Sequence, residues 1–235
     1  MKIVNRISAV LLLVLGLLAF GSASANTVDL RYTGFVGGST TGTLYDTNGN
    51  LIGGSGSLNV NAGLFGFNVL GSSGDVEWGG RVEAFCIETG IALNTSSTVT
   101  YNVVNAGDYF SASQLGAIQS LYGNNHTSLG STATNVAFQL GLWEIINETT
   151  SNTSLSNGSF RSNAFGSAQG IANGWLNDLG ETVEQFHMYV LTSDRSQNLL
   201  VITPKPIGVP EPGALALLGI GLLALAMGMR RRHSA

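Results

Sequence analysis

The spacing of apolar positions divides the chain into three stretches. From Thr27 to Tyr109 the spacing is two: Leu58-Asn59-Val60-Asn61 alternates, and Phe65, Phe67 and Val69 share one face of the run that follows. Such alternation predicts half-buried strands. Leu44-Tyr45-Asp46-Thr47-Asn48-Gly49-Asn50-Leu51-Ile52 sets an Asn-Gly pair between apolar residues and predicts a tight hairpin, with glycines elsewhere serving turns and bulges. Further strands are expected at Val82 to Glu88 and Ser97 to Val104.

From Ser111 the period turns helical. Leu115, Ile118 and Tyr122 form one stripe, with Ser111 or Ser113 as N-cap. A second helix is expected from about Thr134 to Asn147, where Val136, Leu140, Trp143 and Ile146 or Asn147 recur three and four apart and Thr132 or Thr134 caps. Glu148 to Ser159 is polar and reads as a loop. A weaker helix follows over Ser162 to Leu179, stopped by Gly180. Strands at Gln185 to Leu191 and Asn198 to Ile202 complete the pattern. Strands, then helices, then strands predict an α+β fold: an antiparallel β-sandwich or barrel-like sheet with a helical insertion over about 111–180.

The two ends are of a different kind. Lys2 and Arg6 precede an apolar run from Ile7 to Phe20 and a small-residue site, Ala23-Ser24-Ala25, so residues 1–25 read as a signal peptide. At the other end Val209, Pro210, Glu211 and Pro212 precede an uncharged run from Gly213 to Met229, then Arg230, Arg231 and Arg232. The prolines enforce extended backbone. As a helix, residues 213–229 span about 25 Å, enough to cross a bilayer with snorkelling arginines or local thinning. The arginine cluster is expected to stay cytoplasmic, which places everything before Pro210 across the membrane.

Motif by motif this tail resembles the PEP-CTERM sorting signal of exported bacterial proteins. The resemblance implies recognition by an exosortase, a membrane transpeptidase that cuts near the Pro-Glu-Pro element and releases the protein toward the cell surface or extracellular matrix. A plain C-terminal anchor has no need of that element. The chain thus parses into a signal peptide (1–25), an exported domain (26–203), a linker (204–209) and a sorting tail (210–235).

Composition narrows the partners. Between Asn26 and Gly208 there are 13 acidic and 5 basic residues, a net charge of −8, and the basic ones, Arg31, Arg81, Arg161, Arg195 and Lys205, stand singly. Nucleic acid, which demands clustered cations, is not an expected partner. His126 and His187 show neither zinc spacing nor a protease signature, and Asp46-Thr47-Asn48-Gly49-Asn50 lacks the closing acid of a calcium loop, so no metal or other cofactor is expected. Trp78 and Trp175 read as core or half-buried residues rather than a sugar-binding shelf. A polysaccharide hydrolase would need converging carboxylates, for which Glu77, Glu83 and Glu88 are the candidates.

Cys86 is the single cysteine. It cannot form an intramolecular disulfide, so its thiol is buried, paired with another chain, or chemically used. Phe85-Cys86-Ile87-Glu88, taken with Val136-Ala137-Phe138-Gln139-Leu140-Gly141-Leu142-Trp143-Glu144, resembles the thioester domains of bacterial surface adhesins over roughly Val82 to Leu179. In that family a strand Cys is bonded to the Gln of a Thr-Gln-x-x-Ile-Trp-like helix. The resemblance places the Cys at Cys86, the Gln at Gln139 and the Trp at Trp143. Phe138 replaces the family's usual Thr, and Gly141 and Leu142 replace Ala and Ile. A Cys86–Gln139 thioester would capture amines once, with Trp143 as an apolar shield and Glu88 or Glu144 as proton handlers. The expected role is adhesion or matrix association rather than catalysis, through surface amines or exopolysaccharide. A non-covalent matrix protein with an inert thioester-like fold is the alternative.

Overall fold

The computed structural model describes residues 26–204 apart from 55, 77, 151–152 and 181–185. The signal peptide, most of the linker, the sorting tail with the helix expected at 213–229, and Glu77 lie outside the described residues.

Among the described residues seven strands form one antiparallel sheet. β1 (Thr27–Asp46) and β2 (Ser57–Ser73) make a long ribbon. β3 (Arg81–Cys86), β4 (Val99–Asn105), β5 (Phe160–Asn163), β6 (Phe186–Thr192) and β7 (Leu199–Pro204) follow. The strand order is β2-β3-β7-β6-β4-β1-β5, and β2 also pairs with β1, so six strands close into a barrel. Closure leaves those six without a free edge. β1 serves both ends of the architecture: Thr27 to Leu30 pair with β4, and Thr43 to Asp46 pair with β5. Its pairing with β2 shifts register at three places, the bulges and irregularities at which a long ribbon can change direction. The widest lies between Val36 and Thr40, where Gly37 (φ 73) and Gly38 (φ 96) take a conformation that favours glycine.

Among the described residues four α-helices interrupt the strands: α1 (Ala106–Tyr109), α2 (Ala112–Asn125), α3 (Thr132–Asn147) and α4 (Ser167–Asn177). Ser111 and Ser131 each close a capping box at the starts of α2 and α3. All six barrel strands send residues into one apolar cluster, among them Val28, Phe67, Ala84, Cys86, Tyr101, Leu191 and Leu199. Phe85, Ile87, Val190 and Leu200 point the other way, into a second cluster shared with Ile118, Leu121 and Phe138 of the helices. α3 feeds both, and its residues from Asn135 to Glu144 are all buried. The apolar stripe expected for α3 is therefore only part of its buried surface, as befits a helix enclosed on all sides.

The α+β class, the antiparallel sheet and the helical insertion stand as expected. Several details differ. The Asn48-Gly49 turn belongs to a longer connection: Leu51 and Ile52 lie outside the β1–β2 ladder, β2 begins at Ser57, and the Asp46 carboxylate accepts from Asn48 N–H (2.7 Å) and Asn50 N–H (3.2 Å) to shape the loop. The separate strands expected near 58–61 and 65–69 are one strand. The helix expected from Ser162 begins only at Ser167, because Phe160–Asn163 pairs with β1 as β5. Among the described residues the cationic side chains besides histidine are Arg31, Arg81, Arg161 and Arg195, and none is a lysine.

Candidate functional site

Cys86 ends β3, and on one side its own backbone groups are paired by a side chain. Ile87 N–H donates to Asn198 O at 3.1 Å, on the β7 side. By the alternation of an antiparallel strand, the Cys86 N–H and C=O face the opposite side, where pairing with β2 stops at Ala84 and Phe65. Gln139 of α3 fills that place. Cys86 N–H donates to Gln139 Oε1 at 2.9 Å, and Gln139 Nε2 donates to Cys86 O at 2.7 Å. Both residues are buried, at 1% and 0% exposure. One turn earlier on α3, Asn135 does similar work: its Nδ2 donates to Val36 O (3.0 Å) beside the wide bulge, and its Oδ1 accepts from Gly130 N–H (2.9 Å). Two polar residues four apart on a buried helix thus satisfy backbone where the sheet ladder breaks.

The thiol lines a cavity of about 200 Å³ with apolar walls that include Leu44, Val60, Phe65 and Trp143, and with Glu88, Thr89 and Gln197 as polar members. Ile52 and Ile91 also line it and are exposed, so its rim is apolar. Burial pushes the Cys86 thiol well above its usual range. A hydrogen bond from Gln197 opposes this, and the nearby Glu88 adds to it. Burial likewise drives the neighbouring Tyr101 phenol up to about 12.

The sequence-derived residues separate into two places. Cys86, Trp143 and Glu88 share the cavity, and Gln139 is hydrogen-bonded to Cys86. The Glu88 carboxylate is engaged, accepting from Asn198 N–H and Asn198 Nδ2, each at 2.8 Å. Glu144 is not part of this group. It lines a different cavity with Ser111, Ser113 and Glu148, because five residues along a helix turn the side chain well away from Gln139. As a proton handler for Cys86 it is misplaced. Glu83 and Glu88 line separate cavities and do not converge as a hydrolase pair would require. His126 stacks on Tyr122 and His187 on Tyr189, both away from the cysteine cavity. Gln197 is a member that sequence reasoning missed: it follows the turn-like Ser193 to Ser196, more than a hundred residues from Cys86, with no local signal to connect the two.

The remaining decisive residues are at the C-terminus. Residues 208–232 match the family model of the PEP-CTERM protein-sorting motif. The chain carries a PEP-CTERM sorting signal. It is accordingly an exported protein processed by an exosortase, destined for the surface after a membrane-associated step. No helix among the described residues is long and apolar enough to cross a membrane. No curated protein and no solved structure matches the chain.

Proposed function

We propose that this PEP-CTERM protein acts at the cell surface or in the extracellular matrix as an adhesion or matrix-association protein, with Cys86 and Gln139 joined in an internal thioester. The observation that carries this reading is the Gln139 carboxamide seated on the Cys86 backbone, buried, with the two residues brought from elements 53 positions apart. In the bond-forming step Cys86 Sγ attacks Gln139 Cδ, the C–N bond breaks, and ammonia leaves with the thiol proton. In the capture step an amine attacks the acyl carbon, the C–S bond breaks, an amide forms and the thiol is restored. Each molecule reacts once, so the protein is a covalent tether rather than an enzyme. Burial suits the chemistry: with Cys86 and Gln139 at 1% and 0% exposure, water is kept from an acyl bond that must outlast the journey to its target. Surface amines and amine-bearing exopolysaccharide are the partners that such a tether implies.

A second reading draws on the same hydrogen bonds. The carboxamide takes the place of a missing strand, a purely structural duty, and the domain then serves as a non-covalent matrix component. Intact mass of the exported protein beside its Cys86→Ala variant, with and without a thiol alkylator, separates the two. The thioester requires a mass lower by one ammonia, absent in the variant, and no alkylation until methylamine is added. Full mass in both proteins refutes the thioester and leaves the structural reading.

A further inference from the structure

α3 ends beside a second and larger cavity, of about 440 Å³, lined on one side by Glu144, Ile145 and Glu148 and on the other by Ser111, Ser113, Gln114 and Ala117 of the α2 start, with Thr150, Thr153 and Leu179 at its margins. Glu144 is 0% exposed, and neither of its carboxylate oxygens has a hydrogen-bond partner. A buried acid with no donor is costly, and a native fold rarely carries one without a use. Glu148 differs: its carboxylate accepts from Thr150 N–H (2.6 Å), Ser159 Oγ (2.8 Å) and Phe160 N–H (3.1 Å), which occupy both oxygens. Its charge remains, one helical turn from Glu144, at the negative end of the α3 dipole.

From this arrangement we infer that the cavity is a binding site for an organic ammonium group, with Glu144 as the carboxylate that receives it. An ammonium brings a single positive charge and three donors, which match one free carboxylate and neighbouring hydroxyl oxygens such as those of Ser113 and Thr153. A calcium ion would need six or more oxygen ligands, and with Glu148 already engaged the cavity offers one free carboxylate. Ala117, Ile145 and Leu179 give apolar surface for the carbon frame that carries the amine, and the volume falls in the range of small-ligand pockets. An amino sugar of a polysaccharide and a lysine side chain share this chemistry. The site is separate from Cys86, so it stands whether or not the thioester forms.

Burial, with the Glu148 charge adding to it, drives the Glu144 carboxyl up to about 8, so near neutral pH an arriving ammonium displaces a proton. The polar groups that line the cavity with Glu144 are Glu148 from its own helix, the uncharged Ser111, Ser113 and Gln114 at the start of α2, and Thr150 and Thr153, so Glu148 is the one other titratable member.

The test is calorimetric titration of the exported protein, sorting tail retained, in detergent and in the Cys86→Ala background, which removes covalent capture. The probes are glucosamine, butylamine, glucose and calcium chloride. The ammonium compounds should bind and glucose should not, with proton release near pH 7 seen as heat that varies between buffers of different ionisation enthalpy. Tighter glucosamine points to an amino sugar, and tighter butylamine to a lysine side chain. Glu144→Gln, nearly isosteric, should weaken binding about tenfold or more, and Ala117→Leu should do so by filling the cavity from the α2 side. The inference is overturned if neither ammonium compound binds, if binding survives Glu144→Gln with unchanged affinity, or if calcium alone binds.

Discussion

A single carboxamide decides how β3 ends. Truncating Gln139 to Ala leaves the Cys86 N–H and C=O unpaired in a dry interior and opens a void, so a stability loss of about 3 kcal/mol or more is expected in denaturant titration. Gln139→Glu keeps the size and is expected to recover only part of the loss, since a carboxylate accepts from Cys86 N–H but cannot donate to Cys86 O when ionised. Glu144 and Glu148, four residues apart, make opposite contributions with pH. Burial raises Glu144 from an ordinary 4.5 to about 8, so the fold favours its neutral form: this support is full below about pH 4.5 and is lost as pH rises toward 8. For Glu148 burial alone would raise the pKa, but hydrogen bonds from Thr150, Ser159 and Phe160 outweigh it and hold the group near 2. Its support is full above about pH 4.5 and is lost as pH falls toward 2. Thermal melts should therefore show Glu144→Gln gaining on wild type between pH 5 and pH 9, and a separate loss of stability between pH 4.5 and pH 2 that Glu148→Gln suffers already at neutral pH.

At the scale of elements, α3 is the member on which the others depend, and its start is fixed by hydrogen bonds at both ends of a capping box. Ser131→Ala should cost about 1 kcal/mol, read from the shift in urea midpoint at constant slope. The crossing of β1 with β5 is tighter still. A Cβ at Gly42 would meet the Phe165 ring at 2.6 Å and Asn163 O at 2.7 Å, so Gly42→Ala is expected to destabilise by about 1–3 kcal/mol, with hydrogen exchange rising first over β5. These two elements also mark what the sequence could and could not reveal. Period-two and helical spacing were sufficient to place β3, β4, β6, β7, α2 and α3 and to mark β2 as two shorter strands, although α3 and the middle of β2 are buried on every side rather than on one face. β5 escaped because four residues, Phe160 to Asn163, are too few for a period to emerge, and their strand state comes from pairing with the far end of β1. A barrel-like sheet was one of the two forms expected, and what the sequence left open was the choice between it and a sandwich: closure rests on the course of β1, and glycine counts do not reveal the angle of a bend. At the site, the Cys86–Gln139 pairing was readable only through a family resemblance. The placement of Glu144 away from it needed the helix to be set between two cores, and the part played by Gln197 needed the whole fold.

For the molecule as a whole, the sorting tail sets the place of action and the barrel sets what is delivered there. Replacing Glu211 with Ala within the Pro-Glu-Pro element should leave precursor of full tail length in the membrane fraction, seen by immunoblot after fractionation, while the barrel remains folded and protease-resistant. Delivery in quantity raises a hazard for any tether that reacts with amines, because at a crowded surface the most frequent neighbour is another copy of itself. The barrel and its helices carry arginine alone as their cationic side chain among the described residues. A guanidinium keeps its proton at every physiological pH and makes a poor nucleophile. If the proposed thioester forms, a primed copy meeting a folded sibling finds no lysine to acylate among the described residues. Under the proposed thioester chemistry this lysine-poor composition would work as chemical self-tolerance, with Lys205 of the linker the one lysine between Asn26 and Gly208: neighbours would accumulate side by side with little to acylate, and the reaction would be kept for a foreign amine.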